Sequence, residues 1–144
     1  MPDKITLASK FSLIHEHWQP HIAGELNGQL IKLVKFQGEF VWHHHDNEDE
    51  MFFVVKGRFR KEFMEDAAED AHSTPSLHSV AQGRPSATQK TVTIGEGEFI
   101  IVPRGIEHKP VAGEECWVML FEPASTLNTG NVVNERTVHE LNRV

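Results

Sequence analysis

The chain carries ten histidines among its 144 residues, and three of them, His43 to His45, follow one another directly. Side chains of an extended segment alternate between its two faces. His43 and His45 therefore point to one side as a pair of imidazole rings, while His44 points to the other. We expect His44 to be exposed or to lie at an interface. An affinity tag would sit at a terminus, whereas this run lies inside an apolar part of the chain.

A glutamate and a further histidine stand where turns can bring them beside this pair. Glu50 follows His45 beyond the polar residues 46–49, and His108 follows the turn-forming sequence Pro103-Arg104-Gly105. Three neutral imidazoles and one carboxylate suit Fe, Mn, Co, Ni, Cu or Zn, whereas Mg and Ca prefer oxygen ligands. If the four side chains meet, they would therefore suit one divalent transition metal.

The spacing of these residues resembles the first of the two sequence motifs that mark the cupin family. That motif is a glycine, a short spacer, His-x-His, three or four residues, a glutamate, six residues and a second glycine. The chain has Gly38, four residues, His43-His44-His45, four residues, Glu50, six residues and Gly57. The spacer after Gly38 is one residue shorter than usual, a change that removes no ligand.

The later part of the chain resembles the second cupin motif. It has Gly97, five residues, Pro103-Arg104-Gly105, two residues and His108, with Ala112 where the motif has asparagine. The resemblance implies that the metal ligands are His43, His45, Glu50 and His108. It also implies an all-β fold, the double-stranded β-helix, which is a jelly-roll barrel of two antiparallel sheets. More loosely, the chain is similar to small bacterial cupins of the mannose-6-phosphate-isomerase-like or cupin type-2 kind, a label that says little about substrate.

Short strands separated by turn residues are needed to bring the four candidate metal ligands together. Apolar and β-branched runs predict strands at residues 30–36, 51–55, 58–63, 91–94, 99–102 and 116–121, with a further extended piece at 40–43. Lys56-Gly57 is predicted to be a two-residue hairpin turn that pairs residues 51–55 with residues 58–63. Several strands at this spacing are typical of an all-β sandwich or barrel.

The chain is predicted to form one domain, 1–144, whose barrel core spans about residues 30–122. Residues 65–90 lack a long apolar run and predict a surface insertion loop, disordered rather than functional, with a short helix near its start. Residues 123–144 predict a polar tail that wraps the barrel and ends in a short helical turn near residues 139–142.

Composition excludes several classes of partner. The net charge is −7, and no run of Lys or Arg exceeds two residues, so the chain lacks the basic stripe of a nucleic-acid-binding protein. No apolar run approaches the roughly 18 residues of a membrane span. Cys116 is the single cysteine, so no intrachain disulfide can form, and we expect a reducing, cytoplasmic setting.

A homodimer is expected from the strongest strands, because both of their faces are apolar. Phe52 and Val54 face one side, and Met51, Phe53 and Val55 face the other. A closed barrel buries one face only, so the other needs a cover. Residues 5–18 carry several charges and histidines and cover part of it, so a two-fold related second copy is expected to cover the rest.

The expected function is chemistry on a small-molecule ligand at the metal. An octahedral ion with four protein ligands keeps about two open positions, which suit a dioxygenase or a Lewis-acid isomerase of a sugar or hydroxy-carbonyl compound. A cupin that binds or senses without turnover is the alternative. The chain contains no tyrosine, which excludes mechanisms that need a tyrosine base. Arg104, in the second motif, is the candidate that would neutralise an anionic substrate. Oxygenase chemistry is slightly favoured.

Overall fold

The computed structural model describes residues 1–65 and 88–144, which form one short helix and seven strands. The elements in chain order are α1 (Leu7–Phe11), β1 (His21–Leu26), β2 (Gln29–Glu39), β3 (Glu50–Lys56), β4 (Arg58–Glu65), β5 (Thr88–Gly95), β6 (Phe99–Val102) and β7 (Glu107–Pro123). All pairings between these strands are antiparallel. The all-β prediction is confirmed, and β1 adds a strand before the expected start of the barrel core.

Strand β7 is the centre of the sheet because it is long enough to pair with three others. This strand of 17 residues lies beside β2 from Val111 to Pro123, with a register shift between Phe36 and Gly38. On its other side it pairs first with β4 and then with β3. β5 extends the sheet beyond β4, and β6 extends it beyond β3.

The predicted hairpin around Lys56-Gly57 is wrong. Lys56 of β3 pairs with Trp117 and Arg60 of β4 pairs with Val111, both antiparallel to β7. The chain therefore continues in one direction along β7 and bends at Gly57, whose φ of 84° is in the left-handed region that favours glycine. Both strands have an apolar inner face, and pairing with the long β7 keeps both faces toward one interior.

The alternation of side chains along the strands separates an interior from an outer face. The interior cluster includes Phe52 and Val54 of β3, which the sequence pattern placed on one face, together with Val118 and Leu120 of β7. A second cluster lies on the outer face. It consists of Phe11, Ile14 and Leu33, with Val55, Trp117 and Met119 packed against them. The N-terminal segment with α1 therefore covers part of the outer face.

The C-terminal tail wraps the barrel but forms no helical turn near residues 139–142. The Val144 N–H donates to the Ile22 carbonyl at 2.9 Å, and Arg143 forms an isolated bridge with Ile22. This backbone pairing with β1 replaces the helical hydrogen bonds that were expected. In the part of the chain that the structure describes, no helix is both long and apolar enough to cross a membrane.

The predicted insertion loop lies mostly outside the described residues, and both of its predicted ends are wrong. Glu65 belongs to β4 and residues 88–90 belong to β5, with Glu65 and Thr88 as partners in one ladder. We predict that a two-residue Asn-Gly turn joining Glu65 to Thr88 yields a folded barrel, because such a turn closes a β-hairpin. Urea unfolding should stay cooperative with an unchanged midpoint. Loss of the cooperative transition would show that the replaced residues stabilise the core.

The second copy in a homodimer stays a prediction, and the structure suggests where it would pack. Among the described strands β6 pairs with β3 alone, and its Phe99 and Ile101 are 60% and 58% exposed. Light scattering should give about twice the chain mass of 16.4 kDa. The double variant Phe99→Lys/Ile101→Lys should give the single-chain mass, and Leu13→Lys, at a similarly exposed apolar residue, should not. A wild-type mass near that of one chain at all concentrations would contradict the dimer.

Candidate metal centre

The backbone places the two cupin-like motifs side by side. The His43 N–H donates to the His108 carbonyl at 3.0 Å, and the His108 N–H donates to the His43 carbonyl at 2.9 Å. A third bond joins the Gly105 N–H to the His45 carbonyl at 2.7 Å. Residues 40–42 form no strand, so this short bridge and not a long ladder positions the histidines. Glu50 is held separately, as the first residue of β3 opposite Val102.

Four buried donor atoms converge inside the barrel. The Nε2 atoms of His43 and His108 are 3.1 Å apart, and Nε2 of His45 lies 2.8 Å from Oε1 of Glu50. Nε2 of His108 lies 3.6 Å from the same carboxylate oxygen. One ligand atom from each of the four residues lies within 4.8 Å of the others. The structure therefore brings together all four residues that the motifs single out.

These spacings fit a common metal ion better than they fit hydrogen bonds. Two ligands about 2.1 Å from one ion and at right angles lie about 3.0 Å apart. Although Nε2 of His45 and Oε1 of Glu50 are close, neither forms a hydrogen bond of acceptable geometry with the described residues. Buried polar atoms are seldom left without a partner. A cation between the donors would satisfy them, so the residues fit a divalent metal.

The electrostatics of the site keep the imidazoles neutral, which is the state that binds metal. Burial lowers the pKa of His43 from 6.5 to about 3. Burial also lowers the pKa of His45, and burial together with the charge of Lys61 holds the pKa of His108 well below its usual value. The His43 Nδ1–H lies 2.9 Å from the Val41 carbonyl and donates to it, which leaves Nε2 with its lone pair toward the centre.

The low pKa values predict how the metal-free protein responds to acid. Because burial lowers the folded-state pKa of His43 and its neighbours below 6.5, the unfolded state takes up protons first as the pH falls. The free energy of unfolding should therefore decrease from about pH 6.5 toward pH 3. Urea titrations between pH 7.5 and 4 would measure this slope, which should be smaller in His43→Gln. A stability independent of pH over this range would contradict neutral, buried histidines.

A buried ion pair, formed by Lys32 and Glu122, lies next to the carboxyl group of Glu50. Nζ of Lys32 donates to Oε1 of Glu122 at 2.7 Å and to the Thr126 carbonyl at 3.2 Å. Burial, and then the neighbouring carboxyl of Glu50, raise the pKa of Glu122 well above its usual value. The Lys32–Glu122 pair thus lies directly beside the carboxyl group of Glu50.

The space beside the donors is small and mostly apolar. A cavity of about 30 Å³ touches His43 and Glu50 and is lined further by Trp18, Phe40 and Phe52, among others. Trp18 stacks on Phe40 with ring centroids 4.8 Å apart. A space of this size holds one or two water molecules or a diatomic gas. A larger molecule would have to displace part of the lining.

The C-terminal tail closes one side of the site. The His44 N–H donates to Oδ1 of Asn131 at 2.9 Å, and the Asn131 N–H donates to the His44 carbonyl at 3.0 Å. Gly130 has φ of 56°, and a Cβ there would overlap the His44 carbonyl and approach the His43 ring. The tail therefore packs directly on the histidine segment, a contact that the sequence did not predict.

His44 and Arg104 lie outside the converging set. As expected, His44 points away from the other histidines, and its ring contacts Glu107 at 2.7 Å and Asp46 at 3.1 Å. The hydrogen bond to Glu107 raises the pKa of His44. Arg104 is exposed, and its Nε donates to Oδ1 of Asp49 at 3.2 Å. Its role as a substrate contact stays a prediction.

Sequence reasoning missed three charged residues of the interior: Lys32, Lys61 and Glu122. A signal for them existed. Lys32 alternates with the apolar residues Val34 and Phe36, and Lys61 stands between Phe59 and Phe63 at the same spacing. A charged residue at the inward parity of an apolar strand is buried with it. Such residues are rarely buried without a partner or a role.

Comparison with known proteins supports this fold. No family model matches the chain. A cupin-2 domain containing protein from Shewanella frigidimarina is 37% identical, with a TM-score of 0.64, over 83% of this chain and 93% of that one. Protein NMB1881 from Neisseria meningitidis is 28% identical, with a TM-score of 0.62, over 85% of this chain and 100% of that one.

Two more distant similarities extend the comparison. Hydroquinone 1,2-dioxygenase PnpCD, solved with Cd²⁺ and 4-hydroxybenzonitrile, is 18% identical, with a TM-score of 0.58, over 81% of this chain and 70% of that one. That identity supports the fold alone. Among curated proteins, Uncharacterized protein YdbB from Bacillus subtilis is 24% identical over 85 residues, which are 59% of this chain. The match spans 55% of the length of that relative.

Proposed function

The chain belongs to the cupin superfamily, as its 37% identity to a cupin-2 domain protein over 83% of its length shows, and we propose that it is a metal-dependent enzyme acting on a small organic molecule. The observation that carries this proposal is the convergence of four buried donor atoms within 4.8 Å. Three of the donors are imidazoles with lowered pKa values, and one is a carboxylate. His43, His45, Glu50 and His108 would hold one divalent transition metal, whose identity is left open.

Oxygenase chemistry is favoured over isomerisation of a sugar because of what lines the cavity. A sugar needs several hydrogen-bonding groups, and the cavity offers few polar side chains besides the metal ligands, namely Glu122 and Asn128. The remaining lining is apolar or aromatic, and it includes Phe36 and Leu120. Such a wall suits an apolar or aromatic molecule. Bound iron would supply redox chemistry with dioxygen, whereas another divalent metal would polarise an oxygen of the substrate.

The chain's own residues would prepare the site for this chemistry. Trp18 and Phe40 exclude bulk water, which strengthens electrostatic interactions inside the barrel. The Val41 carbonyl fixes the tautomer of His43 through its hydrogen bond to Nδ1. The buried Lys32–Glu122 pair would help to hold the neighbouring carboxyl group of Glu50 in place.

Metal analysis of protein purified without an affinity tag, followed by dioxygen-uptake assays on the Fe(II)-loaded form, tests the proposal. The assays would use a panel of small phenols, diketones and hydroxy acids, with sugars followed separately for isomerisation. We expect about one metal per chain and oxygen consumption with at least one apolar or aromatic compound. Stoichiometric metal with turnover of sugars alone would instead favour the isomerase.

A cupin that binds or senses without turnover is the second candidate, and the small size of the cavity favours it. About 30 Å³ beside the donors does not admit a substrate without rearrangement. If the Fe(II)-loaded protein binds ligands from the panel, but neither consumes oxygen nor isomerises them, the binding function replaces the enzymatic one. The cytoplasmic setting expected from the single cysteine stays a prediction.

A further inference from the structure

Lys61 is a buried lysine for which the metal site provides no partner. It lies on β4 between Phe59 and Phe63 and is 0% exposed. Its Nζ has no hydrogen-bond partner among residues 1–65 and 88–144. Among the described residues, Nζ lies over the ring of Phe52, with the centroid 3.0 Å away, and the ring of Phe59 is 5.9 Å away.

The side chain of Lys61 lies on the same inner face of the sheet as the metal ligand His108. In the ladder between β4 and β7, Phe63 is opposite His108 and Lys61 is opposite Pro110, two residues further along both strands. Side chains two residues apart lie on the same face, so Lys61 and His108 share the interior. Phe52 joins the two, because its ring contacts Nζ of Lys61, lies 6.2 Å from the ring of His108 and lines the cavity.

We propose that Lys61 is the counter-charge for a small organic anion that enters the barrel beside the metal. This inference rests on the proposed function and names its substrate class. The substrate would be a carboxylate, an enolate or a phenolate with an oxygen for the metal and a negative charge toward Lys61.

The charges of the interior lead to the same class of ligand. Among the described residues of the barrel interior, the ionisable side chains besides the histidines are Lys32, Lys61, Glu50 and Glu122, so the two carboxyl groups at most balance the two lysines. Histidines that hold a metal do so as neutral imidazoles and add no negative charge. A divalent cation would therefore leave an interior with uncompensated positive charge. Buried charge is stable only when it is paired, and an anionic ligand supplies the pair.

Lys61 is the member of this group whose charge is free for the ligand. Lys32 is bonded to Glu122 at 2.7 Å, and Arg104 on the surface is bonded to Asp49. Burial lowers the pKa of Lys61 to about 7, although the negative charges of Glu50 and Glu122 act in the opposite direction. The face of Phe52 offers a cation–π contact, which compensates only part of the desolvation of an ammonium group. An anion beside Lys61 would raise this pKa again.

Lys61→Met tests the proposal, because methionine keeps the apolar stem and removes the charge. The Co(II)-loaded protein is titrated with formate, the smallest carboxylate, and with its neutral counterpart formamide. Visible absorption of Co(II) reports binding. We expect the dissociation constant for formate to rise at least about tenfold in Lys61→Met, with formamide binding and Co(II) binding unchanged. The melting temperature of the metal-free variant should equal or exceed that of wild type, since an unpaired buried ammonium is removed.

Lys56→Met is the matched control. Lys56 is exposed and also lies over an aromatic ring, with Nζ 4.6 Å from the centroid of Trp117. Its replacement removes the same charge and the same kind of contact on the outside of the barrel. Formate affinity should be unchanged in this variant. An equal loss in both variants would show an effect of net charge and overturn the inference.

Three further outcomes would overturn it, and each is separable from failure of the proposed function. Unchanged formate affinity in Lys61→Met would show that Lys61 is not the counter-charge, while metal binding would stand. A Lys61→Met protein that unfolds or melts well below wild type would mark Lys61 as structural. If wild type binds no Co(II), the metal proposal fails, but formate should still raise the melting temperature of the metal-free wild type and not that of Lys61→Met. If formate raises the melting temperature of both proteins equally, or of neither, the inference is also overturned.

Discussion

A protein with both His43→Ala and His45→Ala is expected to retain no stoichiometric transition metal. The two replacements remove two of the four converging donors, including Nε2 of His43, which lies 3.1 Å from Nε2 of His108. Loss of a group that merely orients a ligand costs 10- to 100-fold in metal affinity, so loss of two ligands should cost at least about 100-fold. Elemental analysis after gel filtration, with circular dichroism to confirm the fold, measures this effect.

The matched control is His44→Ala, in the same three-residue run. The side chain of His44 points away from the cluster toward Glu107 and Asp46. We expect the metal content of the His44→Ala protein to equal that of wild type. Full metal occupancy in the His43→Ala/His45→Ala protein, or an equal loss in His44→Ala, would show that the metal binds elsewhere.

Phe11→Ala is expected to have the largest effect on stability outside the site. Phe11 ends α1, is 0% exposed and stacks on Trp117 with ring centroids 4.9 Å apart. Removing a buried phenylalanine side chain costs about 3–5 kcal/mol through lost burial and the cavity left behind. Because small domains are stable by only about 5–15 kcal/mol, the midpoint of urea unfolding should shift strongly.

Leu13→Ala provides the comparison from the same segment. Leu13 is 60% exposed, so its replacement should change the free energy of unfolding by less than about 0.5 kcal/mol. A change in Phe11→Ala as small as that in Leu13→Ala would mean that the N-terminal segment does not seal the outer face. The apolar outer residues of β3 and β7 would then need another cover, such as a second copy of the chain.

The metal site was the most predictable part of the molecule. Alternation of side chains in an extended segment fixes His43 and His45 on one side and His44 on the other, and the structure shows this arrangement. The surroundings of the site were not predictable in the same way. Glu122 is 90 residues from its partner Lys32, and no local pattern indicates which distant residues will share an interior.

The sequence by itself determined the all-β class and most strand positions, because periodicity and turn residues act over a few neighbours. Its resemblance to the two cupin motifs singled out the four donors. Tertiary structure alone decided which strands pair. The turn-like Lys56-Gly57 became a bend because β7 is long enough to hold both β3 and β4. Tertiary structure also decided which apolar face turns inward, since alternation separates two faces but does not rank them. That choice buries Lys61 in the barrel and leaves the other face for Phe11.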